Sequence, residues 1–253
     1  MLKYSLLFVL LIGYATTVEA QQWRDLYEPV TSAEIPCRVM KPINFDGKQK
    51  YPVIVSLHGA GGRGSDNQKQ LKVWNAQLAE KERRTKFPCY VLAPQADRLW
   101  NTEHLGHIKT IIASLAAVDM DRIYILGHSM GGHGTYIFIQ LDPTYFAAAA
   151  PSAGSGVKKT ADFISPQKIK DIPIWAFHGD MDAVCPIAKD QHVFAELKRQ
   201  GGNMKFTTWA GGKHAVSDRF IPGSDTGSTE LSGKRCDKEP DFMKWLFQQH
   251  RHK

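Results

Sequence analysis

The chain has 253 residues, 43% of them hydrophobic, and a formal net charge of +7 with histidines neutral. That length and apolar share suit one compact α/β domain and leave little room for a second. The basic residues are scattered, with only short pairs such as Arg83-Arg84 and Lys158-Lys159 and no interleaved aromatics. This pattern excludes a nucleic-acid platform and reads as a solvated basic face, with at most a loose attraction to acidic polysaccharides.

The first element is a targeting segment. Lys3 is followed by an apolar stretch from Leu6 to Ile12 and by Val18-Glu19-Ala20, a small-x-small cleavage pattern ahead of Gln21. Residues 1–20 therefore read as a secretory signal peptide, too short to anchor in a bilayer, with no cysteine after it to accept a lipid. The expectation is a secreted or periplasmic protein without integral membrane association, its single catalytic domain spanning residues 21–253.

Ile35 to Lys41 reads as an early strand closed by Pro42. Strand-length apolar runs follow at Tyr51 to Leu57, Cys89 to Ala93, Arg122 to Leu126, Phe146 to Ala150, Ile172 to Phe177 and Met204 to Trp209. Helical periodicity covers Asn67 to Glu80, Asn101 to Val118, Met130 to Leu141, Ile187 to Gln200 and Asp241 to Gln249, the fourth stopped by Gly201-Gly202. Near-continuous apolar strands alternating with helices predict a mostly parallel sheet with helices on both faces. Ser152 to Asp171 is short and mostly polar, which leaves no room for a large lid domain. Pro222 to Pro240, rich in Gly, Ser, Asp and Lys, reads as a surface loop.

Chemistry concentrates at Gly127-His128-Ser129-Met130-Gly131, where a strand passes directly into a helix. Small residues on either side permit a turn sharp enough to lift the Ser129 hydroxyl above the sheet edge. A serine nucleophile needs a base, and the base needs a carboxylate to fix its tautomer. In open α/β sheets such groups gather at the carboxyl ends of strands. Downstream of Ser129, His178-Gly179-Asp180-Met181-Asp182 follows one strand and Gly211-Gly212-Lys213-His214 follows the next. Either aspartate is eligible by position, and the chain order is Ser, Asp, His.

The elbow, His178-Gly179-x-x-Asp182-x-x-Cys185-Pro186 and Gly211-x-x-His214 together resemble the α/β-hydrolase superfamily. The likeness is to its secreted esterase, polyhydroxybutyrate-depolymerase-like and "predicted peptidase" group, which takes in dienelactone-hydrolase-like and carboxylesterase-like chains, and it covers roughly Ile35 to Arg251. The resemblance implies Asp182 as the triad acid, with Asp180 as runner-up, and His214 as the base; Cys185 stands where valine is usual. It also implies an oxyanion hole made by the amide after His58-Gly59, namely Ala60, together with the Met130 amide that the elbow itself supplies. Trp100 matches a tryptophan that lines the substrate pocket in this group. His133, one helical turn past Ser129, either lines the site or packs. The tryptophan that many relatives carry just after the triad histidine is missing from Ala215 to Phe220.

The remaining candidates read as structural. His58 precedes the nucleophile and reads as a hydrogen-bonding residue, His128 as turned away from the nucleophile, and His178 as bonding backbone in the acid loop. Trp175 reads as core. His104 and His107 lack an accompanying carboxylate pattern for zinc, and the glycine-rich loop at Gly59 lacks the Gly-Lys-Ser/Thr of a nucleotide site. Cys37, Cys89, Cys185 and Cys236 match no metal spacing, and export permits disulfides, although four reduced, buried thiols suit the sequence as well. The strand order implied by the resemblance favours Cys37 with Cys89 and Cys185 with Cys236.

The expected function is that of a secreted serine hydrolase cleaving carboxylic esters through an acyl-enzyme. Its expected partner is a small or polymer-attached ester, such as an acylated polysaccharide or short polyester, and the chemistry requires no metal or organic cofactor and is compatible with a monomer. The rivals are a prolyl-oligopeptidase-like serine peptidase and a noncatalytic binding protein on the same scaffold, the latter weakened by the presence of all three triad residue types.

Overall fold

A strand that is apolar at every position must be covered on both faces. The computed structural model, which describes residues 22–31, 34–222 and 226–251, meets that demand. Nine strands form one sheet: β1 (Tyr27–Pro29), β2 (Cys37–Met40), β3 (Tyr51–Leu57), β4 (Tyr90–Pro94), β5 (Val118–His128), β6 (Ala148–Ser152), β7 (Ile174–Gly179), β8 (Met204–Trp209) and β9 (Ser228–Leu231). Their order is β1-β2-β4-β3-β5-β6-β7-β8-β9. The six strands from β4 to β8 in that order pair in parallel, and β1, β2 and β9 add antiparallel edges.

From residue 73 onward the helices among the described residues are α1 (Val73–Ala79), α2 (Lys81–Lys86), α3 (Thr102–Ser114), α4 (Met130–Leu141), α5 (Pro166–Ile169), α6 (Ile187–Arg199) and α7 (Phe242–Gln248). Alternation along the central strands sorts the core into two layers. Val53, Val55, Ile123 and Ile125 face α3, α4 and α6 through Ile108, Ile112, Phe138 and Leu197. Ile54, Tyr124 and Leu126 share the other layer with Trp74 of α1 and Trp245 of α7. Trp175 is fully buried there, its indole donating to Thr207 Oγ1 at 2.8 Å. The mostly parallel α/β architecture expected from the sequence is thus the one observed.

Several boundaries differ. The helix expected over Asn67 to Glu80 begins only at Val73, because Asn67 takes a left-handed φ of 53° and donates its amide to Gln95 Oε1 at 2.6 Å. The expected loop from Pro222 to Pro240 contains β9, whose Thr207–Thr229 pairing and mostly exposed residues mark a polar edge strand. Ser152 to Asp171 carries only the single short α5. The segment read as a signal peptide lies outside the described residues, and no helix among those described is long and apolar enough to cross a membrane.

The expected disulfides are absent: all four cysteines are buried free thiols. Strand register explains the first pair. Cys37 lies opposite Pro94, five residues from Cys89, which at the rise of an extended strand is roughly 17 Å, far beyond disulfide reach. Cys236 Sγ lies 3.4 Å from the carbonyl of Met204, where β8 begins. The backbone carbonyl of Cys185 instead meets His178, level with Thr208 near the end of β8, so these two cysteines sit at opposite ends of the strands.

Candidate active site

β5 ends at His128 and α4 begins at Met130, leaving Ser129 between them at φ 57°, ψ −119°. A side-chain-bearing residue in that region stores strain on the order of 1–3 kcal/mol, which surrounding contacts must hold. Here the Ser129 amide donates to Ser152 O at 2.8 Å, and its carbonyl accepts from the His133 amide at 2.9 Å. Gly131 makes the turn possible, since a Cβ there would lie 2.0 Å from Leu57 O. Strand β3 and the elbow therefore touch backbone to backbone.

The turn aims the hydroxyl at His214, whose Nε2 lies 2.9 Å from Ser129 Oγ. His214 Nδ1 lies 2.8 Å from Asp182 Oδ2, and the Asp182 side chain is fully buried. Its other oxygen, Oδ1, accepts from the amides of Val184 at 2.8 Å and Cys185 at 2.9 Å. Burial alone would raise the Asp182 carboxyl, but the His214 and backbone hydrogen bonds outweigh it and hold the group below the usual carboxylate value. Asp180, the runner-up, is exposed, so the loop presents one aspartate inward and one to solvent.

The loop after β3 closes over the elbow. Gly59 approaches so near that a Cβ would lie 3.5 Å from Ser129 Cβ, and Ala60–Gly62 form a 3-10 turn. As first residue of its turn, Ala60 has no intraturn acceptor for its amide; Met130, first residue of α4, is in the same position. His58 locks this loop: its Nε2 accepts from the Ala96 amide at 2.9 Å and its Nδ1 donates to Gly59 O at 2.7 Å. That pattern requires a neutral ring, and burial, the main cause, pushes His58 down to about 4. Gln95 braces the same loop through Gly62 O at 3.1 Å and Asp66 Oδ1 at 3.0 Å.

Two sequence expectations are corrected at this point. Trp100 does not line an open pocket: it is 2% exposed, donates to His58 O and packs where a Gly134 Cβ would lie 2.5 Å from its ring. It supports the loop from beneath. His128 does not turn away from the nucleophile, for its ring centroid lies 4.9 Å from that of His214. Burial, assisted by His214, pushes His128 down to about 3, so it stands as a neutral wall bonded to Ser152 Oγ at 3.0 Å. His133 is half-buried and lies against Phe163, ring centroids 4.0 Å apart. His178 has partners that the sequence does not announce: besides Cys185 O, it meets two carboxylates, Asp182 and Asp190.

A model of the dienelactone hydrolase family matches residues 94–236. Among solved structures, a thermostable esterase superposes with a TM-score of 0.71 at 32% identity, covering 90% of this chain and 64% of that one. A feruloyl esterase module from Clostridium thermocellum gives 0.57 at 17% identity over 74% of this chain and 81% of that one. An acylaminoacyl peptidase from Pyrococcus horikoshii gives 0.55 at 19% identity over 79% and 39%. At such identities the last two share the fold alone. An uncharacterized secreted protein of Arthroderma benhamiae is 32% identical over 123 residues, 44% of this chain and 13% of its own length. The chain thus spans a small part of that relative and less than two thirds of the esterase.

Proposed function

The chain belongs to the dienelactone hydrolase family, and we propose that it is a serine hydrolase that cleaves carboxylic esters through an acyl-enzyme formed on Ser129. The observation carrying this reading is the hydrogen-bonded row Ser129–His214–Asp182 on a strained elbow. In it, Ser129 Oγ attacks the ester carbonyl while His214 Nε2 takes its proton. Asp182 fixes the Nδ1–H tautomer and stabilises the imidazolium that forms. The tetrahedral oxyanion is held by the amides of Met130 and Ala60, each worth roughly 3–4 kcal/mol in the transition state. Collapse expels the alcohol, protonated by His214, and water attacks the acyl carbonyl with His214 again as base.

A bulky or polymer-attached ester suits the surroundings. Leu99, Val157, Met181 and Val184 are exposed on the loops after β4, β6 and β7, the same carboxyl ends that display Ser129. Large apolar side chains exposed at this end of the sheet offer contact to an apolar acyl or polymeric substrate. The residue pattern at Met1–Ala20 and the Arthroderma benhamiae relative named as secreted support export as part of the proposal.

Hydrolysis of p-nitrophenyl acetate and butyrate by the protein, run beside Ser129→Ala, tests the chemistry. Turnover that the substitution abolishes is expected; equal rates in both proteins, or preferential cleavage of acyl-peptide anilides, would overturn the ester reading. For the substrate class, Leu99→Asn and Val157→Asn together should raise KM for a short polyester while leaving p-nitrophenyl acetate kinetics within about twofold, since neither residue touches the triad and neither change adds charge.

A further inference from the structure

Behind Asp182 a second set of polar groups is sealed in the core. His178, fully buried near the end of β7, places Nδ1 2.6 Å from Asp190 Oδ2. Its Nε2 lies 2.8 Å from Cys185 O and 3.2 Å from Asp182 Oδ2. Asp190, on the first turn of α6, accepts from the hydroxyl of Tyr136 through its other oxygen at 2.9 Å. Tyr136 sits two turns along α4, the helix that Ser129 begins. The row Ser129–His214–Asp182–His178–Asp190–Tyr136 thus leaves the elbow and returns to the elbow's own helix.

Both nitrogens of His178 face acceptors. A neutral imidazole carries one N–H and would set a lone pair against an oxygen on its other side, at a distance where only a hydrogen bond is stable. Two buried carboxylates flanking the ring also demand a compensating charge. We propose that His178 is an imidazolium in the resting enzyme and, with Asp190 and Tyr136, acts as a positioning unit for the catalytic acid. It fixes Asp182 Oδ2 toward His214 and offsets part of its negative charge, limiting how strongly Asp182 holds a proton on His214. No proton leaves His178 in the reaction; the proton from Ser129 goes to His214 and on to the leaving alcohol.

The surroundings agree. Burial on its own would lower His178, but the hydrogen bond and charge of Asp190, the Cys185 carbonyl and the Asp182 charge outweigh it, holding the ring above the usual imidazole range. Burial and then the Asp190 charge push the Tyr136 phenol well above its ordinary value. Two further groups facing this unit are uncharged: His128 of β5 is pushed down to about 3, and the Cys185 thiol is pushed up to about 12, both chiefly by burial.

This inference rests on the Ser129–His214–Asp182 reading, and Asp190→Asn separates the two. The amide can still accept from Tyr136 and donate to His178 Nδ1, so every hydrogen bond is kept while His178 becomes neutral. The acid limb of the kcat/KM profile for p-nitrophenyl acetate should then move to higher pH by about half a unit or more, since Asp182 regains its full charge. An unmoved limb in a folded variant, with Ser129→Ala inactive, sinks the inference and spares the mechanism; an active Ser129→Ala sinks the mechanism instead. Nitrogen-detected NMR of the wild-type protein tests the charge directly and does not depend on the variant folding. One buried ring with both nitrogens protonated at neutral pH is expected, and single protonation of every buried ring overturns the proposal.

Discussion

Asp180 and Asp182 stand two residues apart, yet only one can serve His214. The turn after β7 sends Asp182 inward onto two backbone amides and the imidazole, while Asp180 faces solvent. Asp182→Asn should therefore lower kcat by about 10⁴-fold, because an amide stabilises the wrong histidine tautomer and no imidazolium. Asp180→Asn should stay within about twofold, as surface substitutions do. Steady-state rates on p-nitrophenyl butyrate decide it, and comparable losses in the two variants would remove Asp182 from its role. Ser129 and His214 are legible in the sequence because each follows a strand at the carboxyl edge, with Gly127 and Gly131 around the first and Gly211-Gly212 ahead of the second. The choice between the aspartates is not, since it depends on which way a loop turns. Nor is the His178–Asp190–Tyr136 set, for Tyr136 and Asp190 are 54 residues apart and meet only because α4 and α6 pack on the same sheet face. Trp100 matched a pocket residue by position, but position along a chain does not say whether an indole lies above or beneath the loop it supports.

The elbow works as an element only because β3, β5 and α4 approach without side chains between them. A methyl at Gly131 would meet the backbone carbonyl of Leu57 at 2.0 Å, and neither backbone can yield without moving a central strand. Gly131→Ala should thus cost about 1–3 kcal/mol or more in stability and most of the activity. Gly61→Ala, in the neighbouring loop, has nothing within 4 Å of the new Cβ and should stay within about 0.5 kcal/mol. Urea unfolding of both variants tests the contrast, and equal midpoints would show that the tight crossing does not constrain the fold. Among the elements, β3, α4 and β8 have the bounds that the sequence predicts; for α4 the turn at Ser129 sets the start and Asp142-Pro143 the stop. α1 is shorter than the sequence suggests: Asn67–Lys72 has helix-compatible composition, but the Asn67 amide is committed to Gln95 and the Gln68 and Lys69 amides to Asp66 Oδ1. β9 was missed because Ser228-Thr229-Glu230-Leu231 carries an edge strand's polarity, which on composition alone is that of a loop.

Across the whole molecule, buried groups that titrate near neutrality tie stability to pH. Burial pushes the Cys89 and Cys185 thiols each up to about 12, far from neutrality, so the native protein should react slowly with a thiol reagent while the denatured chain presents four free thiols. The histidines act at lower pH. His58 and His128 are held neutral, burial pushing them down to about 4 and about 3. In the unfolded chain each titrates near 6.5, so below that pH the unfolded state binds more protons and stability falls as pH falls. By pH 4 each contributes a loss on the order of 3 kcal/mol. His178 has the opposite sign: its raised folded value means that its contribution is fully present below about 6.5 and is lost only as pH rises through that value. It therefore leaves the slope between pH 6.5 and 4 unchanged. Asp182, lowered in the fold, loses its contribution only once pH falls below about 4, the unfolded carboxyl range. His133 and His104, both lowered chiefly by burial, add in the same direction as His58 and His128. Denaturant unfolding measured from pH 7 to pH 4 should show stability declining well above the carboxylate range, and His128→Asn should flatten the decline by about 3 kcal/mol at its acid end. A wild-type curve level across that interval, or one as steep in the variant, would mean that the wall beside His214 accepts a proton in the folded state, and with it a second positive charge 4.9 Å from the catalytic ring.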